Sequence, residues 1–115
     1  MARLIWTEPA VSNLESIADY IALDKPDVAK RYVQLVFAAV KRLARFPSSG
    51  SVPPEIHDLP YRQIIVPPCR VFYRFKNKTV FILHVMRSER LLRNDFWRNE
   101  RKRQFNRRAQ TISDS

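Results

Sequence analysis

The sequence predicts an α+β fold: a short N-terminal strand, an antiparallel helical hairpin, a three-stranded antiparallel run completing one sheet, and a basic C-terminal helix or tail. Three observations predict it. Apolar residues recur at helical spacing twice between residues 8 and 45, with a proline-containing break between the two runs. Three short β-branched and aromatic runs follow, each bounded by turn residues. The chain has 115 residues, enough for one modest core but not for two.

Each element follows from its residues. Arg3-Leu4-Ile5-Trp6 is a short first strand, and Thr7 is placed to cap a helix whose first turn contains Glu8 and Pro9. Ala10, Leu14, Ile17, Ala18 and Ile21 form its apolar stripe. Asp24-Lys25-Pro26-Asp27 breaks this helix and starts a second one. In that helix Ala29, Val33, Val36, Val40 and Leu43 share one face, widened by Phe37 and Ala44. Neither helix can bury its stripe against the other alone, so a sheet is expected beneath them. Phe46-Pro47 ends the second helix, and residues 48–54 form a loop. Tyr61 to Val66 is a strand stopped by Pro67-Pro68.

The stretch from Cys69 to Arg90 is the expected centre: strands Val71–Phe75 and Val80–Val85, joined by a turn at Lys76-Asn77-Lys78. Asn77 is the residue best able to adopt a positive φ. The second strand is apolar on both faces, as expected for a strand covered on both sides. Arg70, Arg74, Arg87 and Arg90 bracket this hairpin, and guanidinium groups suit an anion or an acidic partner. Because one strand begins where the other ends, Arg70 and Arg87 are expected near each other, on a shared anion-binding face. Solvated side chains, or pairing with acids such as Asp58 or Glu89, are the competing reading. From Arg98 onward the chain is mostly basic, with Arg101-Lys102-Arg103 able to meet nucleic acid or an acidic protein segment.

Composition excludes several classes. The formal net charge of +10 favours nucleic acid, an anionic surface or an acidic protein. A single glycine argues against a glycine-rich phosphate loop. One cysteine excludes an internal disulfide, and with two histidines at no ligand-like spacing no metal and no cofactor is expected. No run approaches a membrane span and the first residues do not read as a signal peptide, so a cytoplasmic protein is expected.

Three segments in this order resemble the RelE/ParE family of bacterial type II toxins, closer to the ParE branch. They are Ile5-Trp6-Thr7 running into Leu14–Ile21; Val40–Pro47 followed by Gly50; and Tyr61-Arg62 with Arg70–Arg74 and Ile82–Val85. The resemblance implies a toxin domain at residues 1–90 with a basic segment at 91–115, neutralised by a cognate antitoxin. In the ParE branch the toxin inhibits DNA gyrase; in the RelE branch it cleaves mRNA on the ribosome. For ribonuclease chemistry Arg70 matches the family's strand arginine, Arg87 lies near the second, and Glu89 is the available base. Ribonuclease members place a Tyr or His shortly after the last strand. Here Ser88, Glu89, Arg90, Leu91 and Leu92 follow Arg87, so a proton carrier is missing there. His84 alternates with Ile82 and Met86 and reads as a packed histidine, and Cys69 reads as a small buried apolar residue. Gyrase inhibition is therefore the leading expectation. An mRNA endonuclease and a non-toxic basic binding module are the alternatives.

Overall fold

The computed structural model describes residues 1–88. In chain order the elements are β1 (Arg3–Trp6), α1 (Glu8–Ala22), α2 (Pro26–Arg45), a 3₁₀ turn (Pro54–Ile56), β2 (Arg62–Val66), β3 (Cys69–Lys76) and β4 (Thr79–Arg87). The four strands form one sheet in the order β1-β4-β3-β2. β2, β3 and β4 run antiparallel, and β1 adds parallel to β4, aligning Leu4 with Val80 and Trp6 with Ile82. The fold class is as expected from sequence. The expected boundary at residue 90 and the basic C-terminal segment lie outside the described residues.

The β3–β4 hairpin closes with two residues, Asn77 and Lys78, both at positive φ (53° and 59°). Two successive left-handed residues match the right-handed twist of the flanking strands, so this short turn fixes the register at Lys76–Thr79. The register then slips by one between Phe72 and Tyr73: Tyr73 faces Ile82 but Phe72 faces His84, leaving Leu83 as an extra residue in β4.

Both faces of the sheet are covered. On one, α1 and α2 bring Ala10, Leu14, Tyr32, Val36, Val40 and Leu43 onto Val71, Tyr73, Val80, Ile82 and Val85. On the other, Ile56 and Leu59 of the 46–61 connection pack with Tyr61, Phe72 and Leu83. Tyr32 joins the helical core although it lies outside the stripe expected from spacing. Its hydroxyl donates to the Val66 carbonyl at 2.6 Å, so a buried polar tip is satisfied on β2. Phe37 remains at the rim of the core, edge-on to Trp6 with ring centroids 5.1 Å apart.

The expected capping role of Thr7 is corrected. It is the N-cap of α1 but makes no side-chain cap. Its hydroxyl instead donates to the Ile82 carbonyl at 2.7 Å, with the Leu83 carbonyl at 3.3 Å. Beyond β1 the outer edge of β4 needs other partners, and Asn13 of α1 supplies one: its Oδ1 accepts the Val85 amide at 3.1 Å.

The single glycine, Gly50, is required by space. Its amide donates to the Tyr73 hydroxyl at 2.9 Å, while that hydroxyl donates to the Pro47 carbonyl at 2.6 Å. Arg62 donates to the Gly50 carbonyl at 2.8 Å. A Cβ at Gly50 would lie 2.6 Å from both the Tyr73 hydroxyl and the Gln63 carbonyl oxygen. Gly50→Ala is therefore expected to lower stability by about 1–3 kcal/mol, as overpacking does, read from the urea midpoint.

Burial pushes the Tyr73 hydroxyl above its ordinary value near 10, outweighing the opposing Gly50 hydrogen bond and Arg62 charge. The native state therefore holds this proton after the unfolded chain has released it, and stability falls as pH rises above about 10. Tyr73→Phe removes that contribution. The variant should be less stable at neutral pH yet lose less stability between pH 9 and about 11 in urea titrations, the window being set by the ordinary tyrosine value.

Candidate functional site

The arginines expected to form the site fall on two faces of the sheet. Arg70 sits opposite Met86, while Arg87 sits opposite Cys69. Side chains alternate along a strand, so Arg70 points with Phe72 and Arg74 away from the helices. Arg87 points to the helix side, where it lines a shallow pocket with Tyr20, Leu23, Asp24, Lys25 and Pro68. The expected shared Arg70–Arg87 face is thus corrected. Without the extra residue at Leu83 the hairpin register would set Arg70 opposite Val85, on the same face as Arg87; the bulge inverts that relation.

Arg70 is only 7% exposed. Its Nη2 meets Glu55 Oε2 at 2.9 Å, and its Nη1 reaches Glu55 Oε1 and Gln63 Oε1 at 3.3 Å each. The guanidinium also lies over the Phe72 ring, 5.0 Å from its centroid. A planar fork against a carboxylate with an aromatic face beneath it is the arrangement arginine satisfies and lysine does not. Glu55 is delivered by the 3₁₀ turn that follows Pro53, and the same turn inserts Ile56 into the core. The pair therefore ties the 46–61 connection to the middle of the sheet. Glu55 is thus a partner of Arg70 that the sequence did not point to, the acids expected there being Asp58 and Glu89.

Arg74 lies on the same face two residues further on, opposite Phe81. Glu89, Arg90, Arg98, Arg101, Lys102 and Arg103 lie outside the described residues. His84 is buried with its Nδ1 3.2 Å from Asn13 Oδ1, in keeping with a packed histidine. His57 is exposed in the loop, its Nδ1 3.4 Å from the Pro54 carbonyl oxygen. Cys69 is fully buried in the helix-side core. Among the described residues no three His, Cys, Asp or Glu side chains group as metal ligands, and no helix is long and apolar enough to cross a membrane.

Sequence reasoning missed Glu55, Gln63 and Asn13. Glu55 carried one usable signal, being the single acid between Asp27 and Asp58. Gln63 and Asn13 carried none, because each acts through a register or an edge that only the assembled sheet defines.

This architecture of two helices and a four-stranded mixed sheet is that of the ParE and RelE toxins. The model of the ParE toxin family of the type II toxin-antitoxin system parDE matches residues 4–92, and the chain belongs to that family. The chain is 29% identical over 92 residues to Toxin RelE2 of Caulobacter vibrioides, covering 79% of this chain and all of that protein. A 48-residue stretch is 44% identical to Putative toxin Y4kP of Sinorhizobium fredii, covering 42% of this chain and half of that protein. Among solved structures, the chromosomal ParDE system of P. aeruginosa superposes with a TM-score of 0.64 at 28% identity, over 77% of this chain and 98% of that one. The RelBE2 toxin-antitoxin complex of Mycobacterium tuberculosis shares the fold, with a TM-score of 0.51 at 20% identity over 75% of this chain and 96% of that one.

The Arg70–Glu55 pair is expected to be structural in the first instance. Glu55→Gln leaves a largely buried guanidinium without its counter-charge, and a charged hydrogen bond of this kind is worth about 1.5–3 kcal/mol. Urea unfolding should show that loss, with limited proteolysis reporting earlier cleavage within residues 46–61.

Proposed function

We propose that this chain is a cytoplasmic toxin that arrests growth by blocking DNA gyrase and is neutralised by a cognate antitoxin, a pairing that also serves plasmid stabilization. The observation that carries the reading is the commitment of Arg70. A ribonuclease arginine must offer its N–H groups to a phosphate whose charge builds during cleavage. Here two guanidinium nitrogens are directed at Glu55 and Gln63, so a scissile phosphate would have to displace a carboxylate. Two of the described groups able to move a proton are engaged elsewhere: His84 with Asn13, and Tyr73 with Pro47 and Gly50. Burial holds the Tyr73 hydroxyl protonated, which makes it a poor base.

Target binding is assigned to the arginines that bracket the hairpin. Arg74 and Arg87 lie on opposite faces of the sheet, and Arg90 follows them in sequence. Arg98, Arg101, Lys102 and Arg103 are assigned to antitoxin or nucleic-acid contact on charge alone. An antitoxin partner is supported by the family match and by the likeness to a ParDE system. A net charge of +10 suits an acidic antitoxin segment.

Expression of the full chain should arrest growth, and co-expression of the polypeptide from the adjoining reading frame should relieve the arrest. Purified toxin in excess should abolish gyrase supercoiling while translated mRNA, read by primer extension, acquires no new 5′ ends. Normal supercoiling together with new 5′ ends that disappear in Arg70→Ala would replace this reading with the mRNA endonuclease. Absence of arrest would leave a basic binding module.

A further inference from the structure

We propose that the end of the molecule where β1 starts, α2 finishes and the β3–β4 hairpin turns holds the phosphate backbone of duplex DNA through Arg3, Arg45 and Lys78. The choice of polyanion rests on the gyrase reading above, because gyrase works on duplex DNA; the inference adds a direct contact between toxin and DNA. Two backbone hydrogen bonds assemble the surface. The Arg3 amide donates to the Lys78 carbonyl at 2.9 Å, and the Ala2 amide donates to the Ala44 carbonyl at 2.7 Å. Three segments far apart in sequence are thereby fixed side by side, and each delivers an exposed cation. Arg3 also pairs with Thr79, which pairs in turn with Lys76, so a fourth charge lies on the same row of the sheet. Among the described residues Arg3, Arg45 and Lys78 make no ion pair.

The described acids lie elsewhere. Asp24 and Asp27 flank the start of α2, where Asp24 meets Pro68 and Arg87 at the opposite end of the sheet. Glu15 and Asp19 are on α1, and Glu8 opens that helix beyond the far end of β1. Glu55 is held by Arg70, and Asp58 follows it in the 46–61 connection. Arg45 complements the carbonyl end of α2, as a basic residue in a last helical turn does. Arg3 opens a strand and Lys78 closes a turn, and neither has such a duty.

Spacing selects the class of anion. Neighbouring strands stand about 4.8 Å apart, so Arg3 and Lys76, with β4 between them, are separated by about 10 Å at Cα. Cations spread this far do not converge on one small anion; they fit successive phosphates of a polymer. The bonds that build the surface also occupy the amides of Ala2 and Arg3, so an acidic peptide cannot pair with these amides as an added strand. A second copy of the chain would set a charge of +10 against its own kind. Contact through phosphates alone carries no sequence preference.

The test is fluorescence anisotropy of the full chain on a short labelled DNA duplex of arbitrary sequence, across a salt series. Arg3→Gln combined with Lys78→Asn removes two of the charges, and asparagine tolerates the positive φ of position 78. The slope of log affinity against log salt should fall by about 0.9 per phosphate contact, or about 1.8 in all. The wild-type advantage should therefore shrink about twelvefold between roughly 50 and 200 mM salt. Lys30→Gln combined with Arg31→Gln removes the same charge from exposed positions early in α2 and should leave the slope unchanged. An unaltered slope in the Arg3/Lys78 variant, with its urea midpoint intact, overturns the proposal. So does an equal fall in the Lys30/Arg31 variant, which would reduce the effect to net charge. Tighter binding of a single-stranded RNA of the same length overturns the assignment to DNA. Wild-type protein that shows the expected slopes but leaves gyrase supercoiling intact keeps the DNA surface and fails the gyrase reading itself.

Discussion

β4 is nine residues long and almost wholly buried, and its backbone must find partners along both edges. β3 pairs along one edge, interrupted only at the bulge residue Leu83. The other is satisfied piece by piece: β1 covers the first four residues, Thr7 takes the Ile82 and Leu83 carbonyls, and Asn13 takes the Val85 amide. This requirement organises the N-terminal quarter of the chain. It brings β1 into the sheet in parallel, turns the chain at Thr7 and lays the start of α1 along the strand. An unpaired buried amide or carbonyl costs about 1–3 kcal/mol, so each of these polar contacts matters as much as the apolar packing around it.

Much of the architecture was legible because its signals are local. The helical stripes of α1 and α2, the apolar runs of β2 to β4 and the Asn77 turn can each be read within a window of a few residues. Thr7 was misassigned for an instructive reason. A threonine before Glu8-Pro9 meets every local requirement for a cap, but the open edge of β4 is a tertiary demand and takes the hydroxyl. Gly50 likewise looks like an ordinary loop glycine. Its necessity comes from Tyr73, 23 residues away, whose hydroxyl occupies the space of a Cβ.

The site was legible as a set of arginines but not as a geometry. Arg70 and Arg87 were expected on one face, and in an uninterrupted hairpin starting from the Lys76–Thr79 pair they would be. One extra residue in β4 reverses the parity. The bulge has no short-range sequence signal, yet it decides what the arginines can do. It leaves Arg70 against Glu55, Gln63 and Phe72 on one face and Arg87 near Lys25 on the other. Two guanidinium groups on opposite faces of a sheet cannot close on one phosphate. The separation therefore weighs against a shared catalytic anion site, independently of the proton carrier missing after Arg87.

The sheet also treats its two sides unequally. β1 is short, and the Ala2 amide beside it is engaged by the Ala44 carbonyl at the end of α2. β2 has a backbone partner at Gln63 and then an open rung at Ile65 beside an apolar groove. Proteins commonly blunt such edges with charge, prolines or bulges to prevent indiscriminate pairing. Here Pro67 limits the open edge to a single rung, and the cations of α2 restrict which chains can approach it. A single open rung is too short for uncontrolled strand addition.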